Sequence, residues 1–99
     1  MPKKKQTKKE DYQIKIDHPK DGEVITYKEH YAIRVSASKG PVRIKIDGND
    51  FGACREAEGF FWLDWAKIEP GKHSIIAEIF DPEKGKVLKK SKKIEVEVT

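Results

Sequence analysis

The stretch Gly59 to Asp81, GFFWLDWAKIEPGKHSIIAEIFD, holds both tryptophans and three of the four phenylalanines of the chain. Most of the large apolar surface available for a core therefore lies in this one segment. An extended strand alternates its side chains, so Phe61, Leu63 and Trp65 share one face and Phe60, Trp62 and Asp64 the other. A turn follows at Glu69-Pro70-Gly71, where proline presets φ and glycine supplies a left-handed conformation. Beyond it His73, Ile75, Ala77 and Ile79 alternate with Ser74, Ile76, Glu78 and Phe80. The segment reads as strand, corner, strand.

The same alternation runs through the flanking sequence. Ile14 and Ile16 oppose Gln13, Lys15 and Asp17, and Val24-Ile25 reads as a short continuation on a switched strand or a bulge. Tyr31, Ile33, Val35 and Ala37 share a face until Gly40-Pro41 breaks the run, and Val42, Ile44 and Ile46 make a third apolar edge. Asp47-Gly48 after it predicts a hairpin, because a two-residue primed turn needs positive φ. Phe51 to Ala57 reads as an irregular or edge strand, Val87 to Lys93 as a basic arm or bulged strand start, and Ile94, Val96 and Val98 as the last strand. About seven strands at a spacing of about ten residues, with no long helical period, predict an all-β sandwich.

A chain of 99 residues has room for one core. Its 36% apolar content against 38% charged favours a thin two-layer structure without a deep pocket. Five of the 21 basic residues are Lys3, Lys4, Lys5, Lys8 and Lys9, which leaves 16 basic against 17 acidic groups over residues 10–99. The formal charge of +4 thus comes from the tail. Residues 1–10 are expected to be a disordered basic tail and residues 11–99 the folded domain. Cys54 alone permits neither an internal disulfide nor a cysteine-based zinc set. The N-terminus lacks the apolar core of an export signal, and no apolar run approaches the ~20 residues of a membrane helix. If Met1 is the native start, a cytoplasmic protein is expected; if the chain is excised from a larger secreted protein, an extracellular one. The abundance of Lys, Glu and Ile with few Asn and Gln resembles heat-adapted usage.

The second half resembles a bacterial immunoglobulin-like domain. Gly59 and Phe61 open a strand, Gly71-Lys72-His73 makes the corner, Ile75, Ala77 and Ile79 alternate, and Asp81 with Gly85 ends the unit. His18-Pro19-Lys20-Asp21-Gly22 resembles the exit of that family's first strand. The resemblance covers about residues 12–99 and implies an immunoglobulin-like antiparallel two-sheet sandwich. It places Phe61, Leu63 and Trp65 inward and Phe60 and Trp62 outward. Members of the family are usually non-catalytic spacers or adhesion and ligand-binding modules, often in tandem on secreted proteins; this chain departs from them as a single copy without an export signal.

An outward Trp62 with Phe60 offers a surface for a protein partner or for stacking on a sugar ring, unless an edge strand, a loop or the tail covers it. Ile76 and Phe80 form a second outward patch, and two patches suit a protein partner or self-association better than a carbohydrate. Arg43 and Lys45 are expected to face Glu78, Glu95 and Glu97 as a solvated, register-fixing surface. Lys84, Lys86, Lys89, Lys90, Lys92 and Lys93 surround the last loop, and with Lys39 and the tail lysines they predict a positive pole. That pole would take RNA, DNA or an acidic membrane non-specifically, or simply keep the chain soluble. His18, His30 and His73 show no metal spacing, and Asp47, Asn49 and Asp50 fit a hairpin turn better than a calcium loop. Arg55 beside Cys54 is expected to lower that thiol's pKa slightly. No nucleophile or acid–base set is recognisable, so no enzyme activity, cofactor or metal is expected.

Overall fold

The computed structural model describes residues 12–26 and 30–99. Ten strands are present among them: β1 Ile14–His18, β2 Val24–Ile25, β3 His30–Ala37, β4 Val42–Ile46, β5 Asn49–Ala53, β6 Arg55–Ala57, β7 Phe60–Ala66, β8 Gly71–Asp81, β9 Lys86–Lys90 and β10 Ile94–Val98. They form two sheets, one of four strands in the order β1-β3-β7-β6 and one of six in the order β2-β10-β8-β4-β5, with β9 also paired to β8. The excess over seven comes from segments that divide. The first strand switches sheets between β1 and β2, the segment 51–57 crosses from β5 to β6 at Cys54, and the last strand is broken into β9 and β10. The basic tail expected over residues 1–10 lies outside the described residues.

Alternation decides what the two sheets enclose. Ile33, Val35, Phe61 and Trp65 from the four-stranded sheet meet Val42, Ile44, Ile46, Ile75, Ala77, Ile79, Val96 and Val98 from the other, all buried. Each fully buried Ile or Val contributes about 1.5–3 kcal/mol relative to an exposed one. Leu63 packs on the edge of this core and is half-buried. At the expected hairpin Asp47 and Gly48 adopt φ of 54° and 82°, and Ile46 pairs with Asn49 across them. Gly40 is required for another reason: a Cβ there would stand 2.7 Å from the Phe61 ring.

The break in the last strand is held by one hydroxyl. Lys90 faces Glu78 and Ile94 faces Ile75, so this strand carries one residue more than its partner. Ser91 sits in the gap, buried, with its backbone N–H donating to Ala77 O at 2.8 Å. The Ala77 N–H, which the bulge deprives of a backbone acceptor, donates to Ser91 Oγ at 3.0 Å. Ser91→Ala orphans that buried donor and is expected to cost about 1–3 kcal/mol, read as a lower urea midpoint at unchanged slope.

Candidate functional site

β7 places Phe60 and Trp62 on the outer face of the four-stranded sheet, where Arg34 on β3 and Arg55 on β6 both stand opposite Trp62 in register. The Arg34 guanidinium lies 4.1 Å from the centre of the Phe60 ring. Its Nε reaches Asp17 Oδ2 at 3.3 Å, and the Ser36 hydroxyl donates to the same oxygen. Phe60 meets Trp62 edge to face with centres 6.2 Å apart. The Trp62 indole N–H donates to Ala57 O at 3.1 Å. Both aromatic residues are therefore half-buried beneath their neighbours rather than clear in solvent. Arg55 and Asp64, 3.7 Å apart, form an exposed ion pair beside them.

On the opposite sheet Ile76 and Phe80 are also half-buried, and the Arg43 guanidinium lies 4.1 Å from the centre of the Phe80 ring. The expected solvated ion-pair face needs correction here. Glu78 is only 2% exposed, although it alternates outward from Ala77 and Ile79. Arg43 Nε lies 2.9 Å from one of its oxygens and Lys45 Nζ 3.9 Å from the other. Glu95 and Glu97 stay exposed and make no ion pair among the described residues. The large apolar residues most open to solvent are Val24, at 61%, and Phe51, at 42%. Sequence reasoning misses both. Phe51 carries a weak signal as the lone large apolar residue among Asn49, Asp50 and Gly52.

The lysines divide into two groups. Lys39 from the β3–β4 loop joins Lys84 and Lys86 around a recess of about 420 Å³ shared with Tyr12, Asp81, Val87 and Leu88. Lys86 pairs across from Asp81 but Lys90 from Glu78, so Lys89, Lys90, Lys92 and Lys93 run down the strand edge instead of crowding the pole. Lys3, Lys4, Lys5, Lys8 and Lys9 lie outside the described residues.

His73 fixes the opposite end. Its Nδ1 is 2.7 Å from Asp47 Oδ2 and its Nε2 is 2.7 Å from Glu69 O. Both partners only accept, so an imidazolium satisfies both contacts and a neutral ring just one. Partial burial pulls the imidazole pKa down, but the Asp47 and Glu69 hydrogen bonds outweigh it and the net shift is above 6.5. Burial likewise pushes Asp47 up, and the bonds from His73 and the Ser74 N–H outweigh it, leaving it below 3.8. The raised His73 contributes stability fully below its unfolded pKa and loses it as pH rises through the folded value; the lowered Asp47 contributes above its unfolded pKa and loses it as pH falls. The pair thus stabilises most between about pH 4 and 6.5. Thermal midpoints are expected to fall as pH rises above about 6.5, and His73→Gln is expected to abolish that fall.

Asp47 and Asp50 are committed to the Ser74 and Gly52 N–H groups, and no metal-holding cluster occurs among the described residues. The expectation for Cys54 is reversed: burial pushes its thiol up to about 12. Arg55 directs its guanidinium at Asp64 instead. Among the described residues, no helix is long and apolar enough to cross a membrane.

No protein-family model matches the chain, and no curated protein does. Among solved structures it is similar to the fibronectin(III)-like modules of Clostridium thermocellum CbhA, with 26% identity, a TM-score of 0.69, and coverage of 88% of this chain and 96% of that one. The fold is an immunoglobulin-like β-sandwich. A CARDB domain from Pyrococcus furiosus, solved in complex with di-metal ions, matches over 89% of this chain and 92% of its own at 19% identity and a TM-score of 0.55. A putative beta-galactosidase from Bacteroides fragilis matches over 89% of this chain but 12% of its own, at 17% identity and a TM-score of 0.57.

Proposed function

We propose that this domain is a non-catalytic binding and assembly module that engages a protein partner through the outer face of its four-stranded sheet. The observation that carries this reading is Trp62, half-buried and in register with Arg34 and Arg55 on its two neighbouring strands. Tryptophan and arginine are the residue types that dominate protein hot spots, and partial packing fixes the indole before a partner arrives. A sugar needs a free ring face and uncommitted polar groups beside it. Here Arg34 covers Phe60, Asp17 and Ser36 are hydrogen-bonded to one another, and the indole N–H is taken by Ala57 O. The exposed Arg55–Asp64 pair supplies a polar rim that can re-pair across an interface. The kinship with bacterial immunoglobulin-like domains suggested by Gly71-Lys72-His73 belongs to the same reading.

A photo-crosslinking residue at Asp64, compared with one at Lys20, tests it in the cell of origin. One protein captured at Asp64, lost with Trp62→Ala and absent at Lys20, supports the proposal. Equal capture at both positions, or none, defeats it; capture of this chain by itself assigns the face to self-association.

A further inference from the structure

We propose that the lysine row from Lys84 to Lys93, together with Lys39, binds the phosphodiester backbone of single-stranded nucleic acid, with the recess beside Tyr12 as one end of the track. Charge pairing separates these residues from the arginines, and their clustering around β9 separates them from the other unpaired lysines, such as Lys15, Lys20 and Lys72. Arg34, Arg43 and Arg55 each have a carboxylate within ion-pair distance, whereas Lys39, Lys84, Lys86, Lys89, Lys90, Lys92 and Lys93 have none among the described residues. The Asp81 carboxylate at the recess is held by the Glu83 and Lys84 N–H groups, at 3.0 and 3.3 Å, as part of the turn. All seven lysines are exposed, and they outnumber the neighbouring acids Asp81 and Glu83.

Their arrangement is linear. β9 pairs only with β8, and its other edge is unpaired among the described residues, so Lys86, Lys89 and Lys90 sit on an open edge strand, with Lys92 and Lys93 just past its end. Lys86 stands beside Asp81 and Ile94 beside Ile75, so the run from Lys86 to Lys93 covers less than six steps of β8, under roughly 20 Å at about 3.3 Å per residue, which is the length of a few nucleotides. At its end the recess collects Lys39, Lys84 and Lys86 beside the half-buried Tyr12, with Lys39 Nζ 5.6 Å from the centre of its ring. A narrow ridge suits a strand better than a bilayer. Phe51 lies on the opposite edge of the sheet and Val24 pairs beside Glu97 at the far end, so no exposed large apolar residue among those described is placed to insert with the lysines.

Fluorescence anisotropy of a labelled single-stranded oligonucleotide with the full chain, over a series of salt concentrations, tests this. A Lys39→Gln/Lys84→Gln/Lys86→Gln variant is expected to bind at least about tenfold more weakly at low salt and to flatten the log–log salt slope by about 2, near 0.7 for each phosphate no longer neutralised. Lys15→Gln/Lys20→Gln/Lys72→Gln removes the same charge elsewhere and is expected to change affinity less than about threefold. An equal loss in that control overturns the site. Absence of oligonucleotide binding at low salt overturns the proposal, and binding of anionic vesicles or polyglutamate in its place reassigns the lysines to a membrane or an acidic protein.

Discussion

Arg43→Met is expected to destabilise the domain by about 3 kcal/mol, the lower end of the range for breaking a buried ion pair. Glu78 lies on the central strand β8 and is 2% exposed, so its carboxylate depends on its partners in place of water. Arg43 supplies the short contact, 2.9 Å, whereas Lys45 stands off at 3.9 Å. Arg43 is itself 22% exposed, so some water reaches the site once the guanidinium is gone, which keeps the loss from the upper end. The variant also uncovers Phe80. Glu78→Leu alone leaves Arg43 able to turn toward Asp50, 3.8 Å from its Nη1, and is expected to cost less. The double variant Arg43→Met/Glu78→Leu removes both charges and is expected to recover most of the loss. Urea midpoints of the four proteins close the cycle. A single-variant loss below about 1 kcal/mol would show that water reaches Glu78 freely.

Trp65→Ala is expected to cost about 3–5 kcal/mol, the range for deleting a buried aromatic side chain. Trp65 is 2% exposed, and its ring lies edge-on to His73, 5.3 Å away between centres, so its loss opens the core and loosens the corner that His73 holds. Trp62→Ala, three residues earlier on the other face, is expected to cost only about 1 kcal/mol, since it forfeits partial burial and one part-buried hydrogen bond. The contrast in denaturant midpoints checks the face assignment of β7 directly. Equal losses would make Trp62 a packing residue and remove the basis for its role in partner binding.

Period-two patterning suffices to place the sandwich, because a strand that buries one face must alternate and β3, β4, β7, β8 and β10 all do so. The Asp47-Gly48 hairpin is legible because only certain residues tolerate positive φ at both turn positions. Glu78 escapes the pattern for a physical reason. Alternation tells which face a residue is on, but not whether long neighbours will lie down over it, and Arg43 and Lys45 do so. The same limit applies to Phe60 and Phe80, which face outward yet lie under arginines supplied by other strands. Proximity in sequence misleads at Cys54, because its neighbour Arg55 turns toward Asp64 while the thiol goes inward. The lysine row is visible as composition; its division into a recess and an edge requires the register of β9 on β8.

The switched first strand sets how the domain would carry tension. β1 begins at Ile14, opposite Ala37, and the last strand ends beside Gly71, at the other end of the long strand β8. Between these ends β2 runs parallel to β10, joined by Gly22 N–H to Glu95 O, Glu97 N–H to Glu23 O and Thr99 N–H to Ile25 O, at 2.7, 3.0 and 3.0 Å. The Asp21 carboxylate adds a fourth link, accepting from the Glu95 N–H at 2.9 Å. Tension along the long direction pulls these two segments past each other in shear, so the links share the load and must yield together. A hairpin pulled from one end would instead open one bond at a time.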